Sequence, residues 1–363
     1  MRHWVTVVSV PLAGASGAGP ERRRGRAANW IDAVLPIDSG AAPDDKHLMS
    51  RPQISVLTPA YNASAFIAET IRSVQQQSLD DWEHVVVDDG STDDTAAVVR
   101  AAGDGRLVLI RQENAGQSAA QNVALARARG RLVVMLDADD MLLPDAFARL
   151  SSALDARPDA VLAYGKAWLV DPAGAPIDAR QVFADRPSDV ALENLLERNL
   201  IVTGGATMIR ADAMRAVGGF DPDIRMAQDW ECWCRLAAHG AVVFIGGPAV
   251  LEYRLQPRSV SRTDALSPDT HRMAIDKVFG NPEIMAGISA RRARVLRRRR
   301  EGNAWYLAGI EALRAHDLPR ARRLIRGGVW RDPWRWRPWV VFLAILPGRL
   351  PRFIGARIGV TAR

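Results

Sequence analysis

The sequence predicts an α/β fold: a mostly parallel sheet flanked by helices, followed by a helical C-terminal appendage. Two observations predict it. From Ile54 to Leu136, strand-like and helix-like stretches alternate at the spacing of βαβ units. Each strand-like run then gives way to a polar, turn-forming segment. The chemically capable residues therefore fall on one edge of the sheet, where open α/β sheets bind ligands.

Residues 1–50 hold an apolar run, Val5–Val10, and then a Gly/Ala/Ser/Pro-rich stretch with Arg22–Arg24. They are expected to be a disordered or poorly ordered extension. A signal peptide is the alternative, and Met49 stands just before the first strong strand. Residues 51–265 are expected to form the main domain. Its strands fall at Ile54–Thr58, Glu83–Val87, Arg106–Ile110 and Leu132–Leu136, and its helices at Ala63–Gln77, Asp93–Ala102 and Gln117–Arg129. The pattern is weaker from residue 145 on. It suggests a strand over Ala160–Val170, a helix over Ser188–Asn199, a loop Thr203–Thr207 entering a strand at Met208–Arg210, and an amphipathic helix from Gln228 through Ala238. Residues 266–333 read as helical. Trp305, Gly309, Ala321 and Pro333 fall at the spacing of one tetratricopeptide-type hairpin, with helices near Gly302–Ala315 and Leu318–Trp330. One such repeat cannot make a solenoid. Residues 334–363 form a basic, Trp-rich amphipathic tail.

The formal net charge of +7 is unevenly spread. From Arg291 onward there are 19 Arg and 4 acidic residues, or +15; the preceding chain keeps 29 of the 48 basic and 37 of the 41 acidic side chains, or −8. An acidic body argues against nucleic acid as its substrate. A basic tail suits an anionic surface such as phospholipid headgroups. The run Arg291–Arg300 also has a plainer explanation, a solvated helix face. The two cysteines, Cys232 and Cys234, make neither a zinc site nor a disulfide framework. This fits a reducing, cytoplasmic setting. No apolar run reaches the eighteen or so residues of a membrane span.

The densest chemistry lies in LVVMLDADD, Leu132–Asp140. Asp137 and Asp139 are two apart, so in an extended segment they project to one side. Three crowded carboxylates repel unless a cation sits between them or one stays protonated. Mg²⁺ is held typically by one or two carboxylates plus substrate phosphates. An acidic turn capping the next helix is the plainer alternative. Three further segments end strands on the same edge: Pro59-Ala60-Tyr61-Asn62, Asp88-Asp89-Gly90-Ser91 and Asn114-Ala115-Gly116. No Walker A sequence occurs, so a metal is expected to meet phosphate rather than a glycine cradle.

Taken in order, ISVLTPAYN, VVVDDGSTDDT, NAGQSAAQNVAL…GRLVVMLDADD and VGGFDPDIRMAQDWECWCRLA resemble an inverting glycosyltransferase of family 2, with the GT-A fold. The resemblance covers roughly Gln53–Val260. It implies a nucleotide-sugar donor, usually UDP-linked, and a divalent metal, Mg²⁺ or Mn²⁺. Carried over, it puts Pro59 and Tyr61 on the nucleobase and ribose, and lets Asp89 accept from the base edge. Asp137 falls near the ribose or the metal, Asp139 on the metal that bridges the diphosphate, and Asp229 becomes the catalytic base. As a plain structural residue, Asp229 near a helix start is a cap or dipole partner.

Two positions depart from the family pattern. Gln121 stands where members often have Arg, and Gln256 where they often have His. The expected activity is sugar transfer to a saccharide or lipid-linked acceptor in cell-envelope or exopolysaccharide assembly. The expected location is the cytoplasm, with peripheral contact at the inner membrane through the tail. A tail that docks on the protein itself is the alternative. A non-catalytic binding or scaffold protein with a decayed donor site, and a sugar-phosphate nucleotidyltransferase, are the competing readings. The latter lacks a Gly-rich basic loop after the first strand and gives Asp229 no role.

Overall fold

The computed structural model describes residues 6–9, 51–177, 189–201, 203–256 and 267–345. The remainder of residues 1–50, on which the expected N-terminal extension falls, lies outside the described residues, as does the tail beyond Ile345. Among the described residues there are nine strands: β1 (Thr6–Ser9), β2 (Ile54–Ala60), β3 (Trp82–Asp89), β4 (Leu107–Gln112), β5 (Leu132–Met135), β6 (Met141–Leu142), β7 (Ala160–Val170), β8 (Thr207–Arg210) and β9 (Ala241–Arg254). The helices are α1 (Ile67–Gln75), α2 (Thr95–Ala102), α3 (Gln117–Arg127), α4 (Ala146–Ala156), α5 (Leu192–Glu197), α6 (Ala211–Ala216), α7 (Gln228–His239), α8 (Arg272–Gly280), α9 (Ala290–Arg314), α10 (Leu318–Arg331) and α11 (Trp336–Ala344). The strands form one sheet in the order β1-β4-β3-β2-β5-β8-β7-β9-β6.

Strands β1, β4, β3, β2 and β5 pair in parallel. β8 runs antiparallel to β5 and β7, β7 and β9 are parallel, and β6 is antiparallel to β9. Every residue of β3 is buried, as a strand covered on both faces must be. On one face Ile67 and Ile71 of α1 and Ala96 and Val99 of α2 pack over Val86 and Leu109. A second cluster joins Phe147, Leu150 and Leu154 of α4 to Val134, Leu136 and Val250. Several polar groups buried among these strands are partnered, which limits their cost, although Trp82 Nε1 and His84 Nδ1 find no partner among the described residues. Glu83 accepts from Ser55 Oγ at 2.7 Å and from Arg129 Nε at 2.8 Å, and Thr58 Oγ1 lies 2.9 Å from His84 Nε2.

The expected alternation from Ile54 onward is present, and the parallel strands run to a common rim. The fourteen-residue β9 has no counterpart in the sequence reading. Its pattern is broken by Gly246 and Gly247, both at positive φ, and the β7–β9 register shifts nearby, so no simple period marks it.

By its contacts the chain divides into two units. The first comprises Met1–Val190, Ile201–Asp223 and His239–Leu255; the second comprises Ala191–Leu200, Ile224–Ala238 and Gln256–Arg363. The sequence reading divides the chain into contiguous stretches; here α5 and most of α7 group with the C-terminal helices instead. The reason lies in the basic run. Arg300 is buried with its guanidinium 4.2 Å from the Trp230 ring, Arg292 pairs with Glu193 and Arg299 with Glu197. Arg291–Arg300 is therefore no mere solvated face.

Helices α9 and α10 form the expected hairpin, with α9 starting earlier than the repeat spacing implied. Glycines allow the close crossing. A Cβ on Gly309 would meet Ile325 Cγ1 at 2.4 Å, and one on Gly327 would meet the Trp305 ring at 2.3 Å.

Candidate active site

Parallel register brings four strand ends to one rim of the first unit. Ala60 is level with Asp88, Asp89 with Gln112, and Leu57 with Met135. The loops beyond are stitched together by side chains. Asn62, at φ 49°, takes hydrogen bonds on Oδ1 from the Thr92 backbone N–H at 2.9 Å and from Thr92 Oγ1 at 3.2 Å. Its own N–H donates to Ser91 Oγ at 3.0 Å. The Ala63 N–H donates to Thr95 Oγ1 at 2.8 Å. Gly90 has φ +74°, and a Cβ there would stand 2.8 Å from the Asn114 nitrogen, so glycine alone lets these two loops touch.

Asp88 and Asp89 have distinct tasks. Asp88 accepts from the Ser91 N–H and from Arg111 Nε, at 2.9 and 2.8 Å. Asp89 is buried and organises the loop ahead of α3. Its Oδ1 accepts from Gln112 Nε2 at 2.7 Å and from the Ala115 N–H at 2.9 Å, and its Oδ2 from the Gly116 N–H at 2.9 Å. Three of about four lone-pair positions are thus taken within the protein, which leaves one on Oδ2. Pro59 lies in β2, and Tyr61 just past it is 53% exposed at the rim.

The acidic segment is a turn rather than an extension. β5 ends at Met135, and the Asp140 N–H closes back on the Asp137 carbonyl at 3.2 Å. The period-two argument for Asp137 and Asp139 therefore does not apply. What gathers the carboxylates is the turn itself. Asp137 Oδ1 accepts from Gln117 Nε2 at 3.0 Å, and Oδ2 from Thr203 Oγ1 at 3.2 Å. Asp140 is fully buried. Burial first, then repulsion from Asp137 and Asp139, raises its pKa well above the usual carboxylate value. Its Oδ1 accepts from the Arg254 N–H at 3.0 Å, while Oδ2 has no partner. Of the three carboxyls, Asp140 is the one that burial and its two acidic neighbours most favour in the protonated form.

The donor set left at the surface of the turn is two partly exposed carboxylates, Asp137 and Asp139. Among the described residues, no group of three or more His, Cys, Asp or Glu could hold a metal by itself. Two hard oxygen donors without a full protein cage fit Mg²⁺ or Mn²⁺ that completes its shell with phosphate and water.

The sequence reading missed the residue that supports this turn. Arg254 is buried at the end of β9. Its Nε donates to the Asp139 carbonyl at 3.0 Å, Nη1 to the Pro172 carbonyl at 2.6 Å and Nη2 to Glu69 Oε2 at 2.5 Å. The only sequence signal was its place in Tyr253-Arg254-Leu255-Gln256. Asn122 was also missed. Its side-chain amide clamps Phe220, donating to the carbonyl at 2.7 Å and accepting from the N–H at 2.8 Å. Gln121, one residue earlier, is buried with Oε1 unpartnered.

Asp229 belongs to the second unit, in the first turn of α7. Its Oδ1 accepts from the Trp230 N–H at 2.7 Å and Oδ2 from Asn199 Nδ2 at 3.1 Å. Packing around the carboxyl raises its pKa, against the pull of these bonds and of Arg300. Trp230 is buried and donates from Nε1 to the Leu195 carbonyl at 2.6 Å, so it is part of the core.

A cavity of about 600 Å³ opens at the opposite rim of the sheet, among Arg51, Gln53, Arg129, Arg131, Arg210 and Arg215. Its arginines are largely committed to structure: Arg129 to Glu83, Arg131 to Asp155, and Arg210 to the carbonyls of Leu154 and Ala160. In open α/β sheets the carboxyl ends of the strands carry the ligand, which favours the other rim.

Residues 55–218 match the family model described as glycosyl transferase family 2. The chain is 33% identical over 214 residues to TuaG of Bacillus subtilis, named as a teichuronic acid biosynthesis glycosyltransferase; the match covers 58% of this chain and 82% of that protein. It is 32% identical over 217 residues to the succinoglycan biosynthesis protein ExoU of Rhizobium meliloti, covering 56% and 60%. Among solved structures, the mannosyltransferase PcManGT of Pyrobaculum calidifontis, in complex with GDP-Man and Mn²⁺, aligns with TM-score 0.53 at 23% identity, covering 87% of this chain and 90% of that one. At that identity the likeness concerns the fold, which is the GT-A fold of glycosyltransferases.

Proposed function

The chain belongs to glycosyl transferase family 2, and from that premise we propose that it is an inverting, metal-dependent glycosyltransferase. It moves a sugar from a nucleotide sugar, UDP-linked, to a saccharide or lipid-linked acceptor. The product is a cell-envelope or exported polysaccharide, a reading supported by the names of TuaG and ExoU. One observation carries it: Tyr61, Asp89 and the Asp137–Asp140 turn share one rim, joined through Gly116 and Gln117.

In this reading the Tyr61 ring and Pro59 meet the base and ribose, and the remaining lone pair of Asp89 accepts from the base edge. Asp137, fixed by Gln117 and Thr203, faces the ribose or the ion, and Asp139 holds the ion. A divalent cation there supplies electrostatic stabilisation of the charge that grows on the leaving diphosphate. Arg254 holds the backbone of the turn so that these carboxylates keep their place. Asp229 takes the proton of the acceptor hydroxyl as its oxygen bonds to the anomeric carbon. The sugar–phosphate bond breaks on the opposite side, and its electron pair leaves with the diphosphate. A single displacement inverts the anomeric centre. A raised pKa suits a carboxylate to that proton transfer.

The test is a thermal-shift screen of UDP-, GDP- and dTDP-sugars with and without Mn²⁺, followed by nucleotide release with candidate acceptors. A metal-dependent shift with a UDP-sugar and release of UDP are expected. Binding without release from any donor would instead favour a decayed donor site.

A further inference from the structure

Helix α11, in the second unit, carries apolar side chains on both faces. Pro338, Val341 and Ala344 are buried, with Val341 in the cluster of Leu313, Leu324 and Ile325. The other face presents Trp336, Trp339, Val340 and Leu343 to solvent, at the i, i+3, i+4, i+7 spacing of one helical stripe. Trp334 just before it is 90% exposed, and Trp330 at the end of α10 is 71% exposed. Trp339 Nε1 donates to the Pro333 carbonyl at 2.8 Å, which pins the α10–α11 turn to the helix. Arg323 and Arg326 are exposed at helical spacing from Trp330, and Arg337 is exposed on α11. From Leu318 to the end the chain has 11 Arg against one acidic residue, Asp332.

Large exposed apolar patches mark interaction surfaces. We propose that this face of α11, with Trp334 and Trp330, lies in the headgroup region of an anionic lipid bilayer. Tryptophan fits because its ring is apolar and its N–H polar, which suits the membrane–water boundary. Arginine fits because its stem lies along apolar surface while the guanidinium meets phosphate. Among the described residues no helix is long and apolar enough to cross a membrane, so the stripe lies on the bilayer rather than in it. Charge selects this occupant over two others. A second copy would bring arginine-rich faces together. The chain's own residues 346–363 add four Arg and no acid, so they too carry the wrong sign to cover it. The inference does not rest on the sugar-transfer reading.

The experiment is flotation of the purified full chain with vesicles of phosphatidylcholine alone or with 30% phosphatidylglycerol. At least ten-fold better recovery with the anionic vesicles is expected, falling as salt is raised, since each arginine near such a surface contributes roughly five-fold. The double variant W336E/L343E is expected to lose at least ten-fold in recovery while its circular-dichroism spectrum and cooperative melting match the wild type. R323Q/R326Q, which leaves α11 intact, removes two such contributions and is expected to weaken vesicle partition by about 25-fold and to flatten the salt dependence. Equal recovery with both vesicle types, or wild-type recovery of both variants, overturns the proposal. So does a dimer of the wild type, seen by sedimentation, that W336E/L343E converts to monomer.

Discussion

Asp229 shows how one side chain can cost stability and still be kept. Crowding raises its pKa although Trp230 and Asn199 both donate to it. An acid whose pKa is higher in the folded than in the unfolded chain binds more protons when folded. Stability therefore falls as pH rises from the ordinary carboxylate value through the raised one. Replacing Asp229 with Asn removes that charge and keeps an acceptor for the Trp230 N–H. In D229N, turnover is expected to fall about 10²–10⁴-fold, with donor binding within two-fold of wild type. The melting temperature at pH 7 should be unchanged or higher. Wild-type turnover removes Asp229 from the role of base, whereas a large drop in melting temperature marks a cap. In the wild type, the acid limb of kcat/KM should lie above the ordinary carboxylate range, because the base must be ionised to act.

At the scale of elements, two pairings matter. His84 in β3 faces Thr58 in β2, and burial lowers its pKa to about 3 although the Asp104 carboxylate opposes this. The unfolded chain binds the proton that the fold refuses. The contribution is fully present above about pH 6.5, the unfolded value, and is lost as pH falls from there towards about 3. The slope is about 1.4 kcal/mol per pH unit. In urea titrations between pH 7 and 5, H84Q should flatten that slope by about this amount; an unchanged slope would show that His84 is protonated in the fold. The second pairing joins β9 to the acidic turn. R254Q removes one partner of a buried network, which costs roughly 3–5 kcal/mol; the low end applies because Glu69 stays partly in water. The turn loosens with it. A Mn²⁺ titration of activity should then need at least ten-fold more metal for half-maximal rate. If only the melting temperature falls, Arg254 serves the fold and not the site.

At the scale of the whole molecule, what the sequence revealed was local and periodic. Alternating strands and helices announced the parallel strands, and the polar ends of those strands announced the rim with Tyr61, Asp89 and Asp137. Less legible were features set by contacts far along the chain. Arg254 lies 115 residues from the Asp139 carbonyl it holds. The partition that groups Asp229 with the C-terminal helices arises because a buried arginine, Arg300, stacks on Trp230. Composition marks Arg291–Arg300 only as a charged run, and nothing local says which of its arginines turns inward. The same partition yields a test. Asp137 belongs to the first unit and Asp229 to the second, so donor binding and proton transfer should be separable by mutation. A ligand at 100 times its Kd stabilises the fold that binds it by about 2.7 kcal/mol. For a domain of this size that is roughly 5–11 °C in melting temperature. With a matched nucleotide sugar and Mn²⁺, wild type and D229N should both show the shift, and D137N should lose most of it. A full shift in D137N would take Asp137 out of the donor site. Loss of the shift in D229N would make the carboxylate of the second unit part of donor binding rather than of the chemistry that follows.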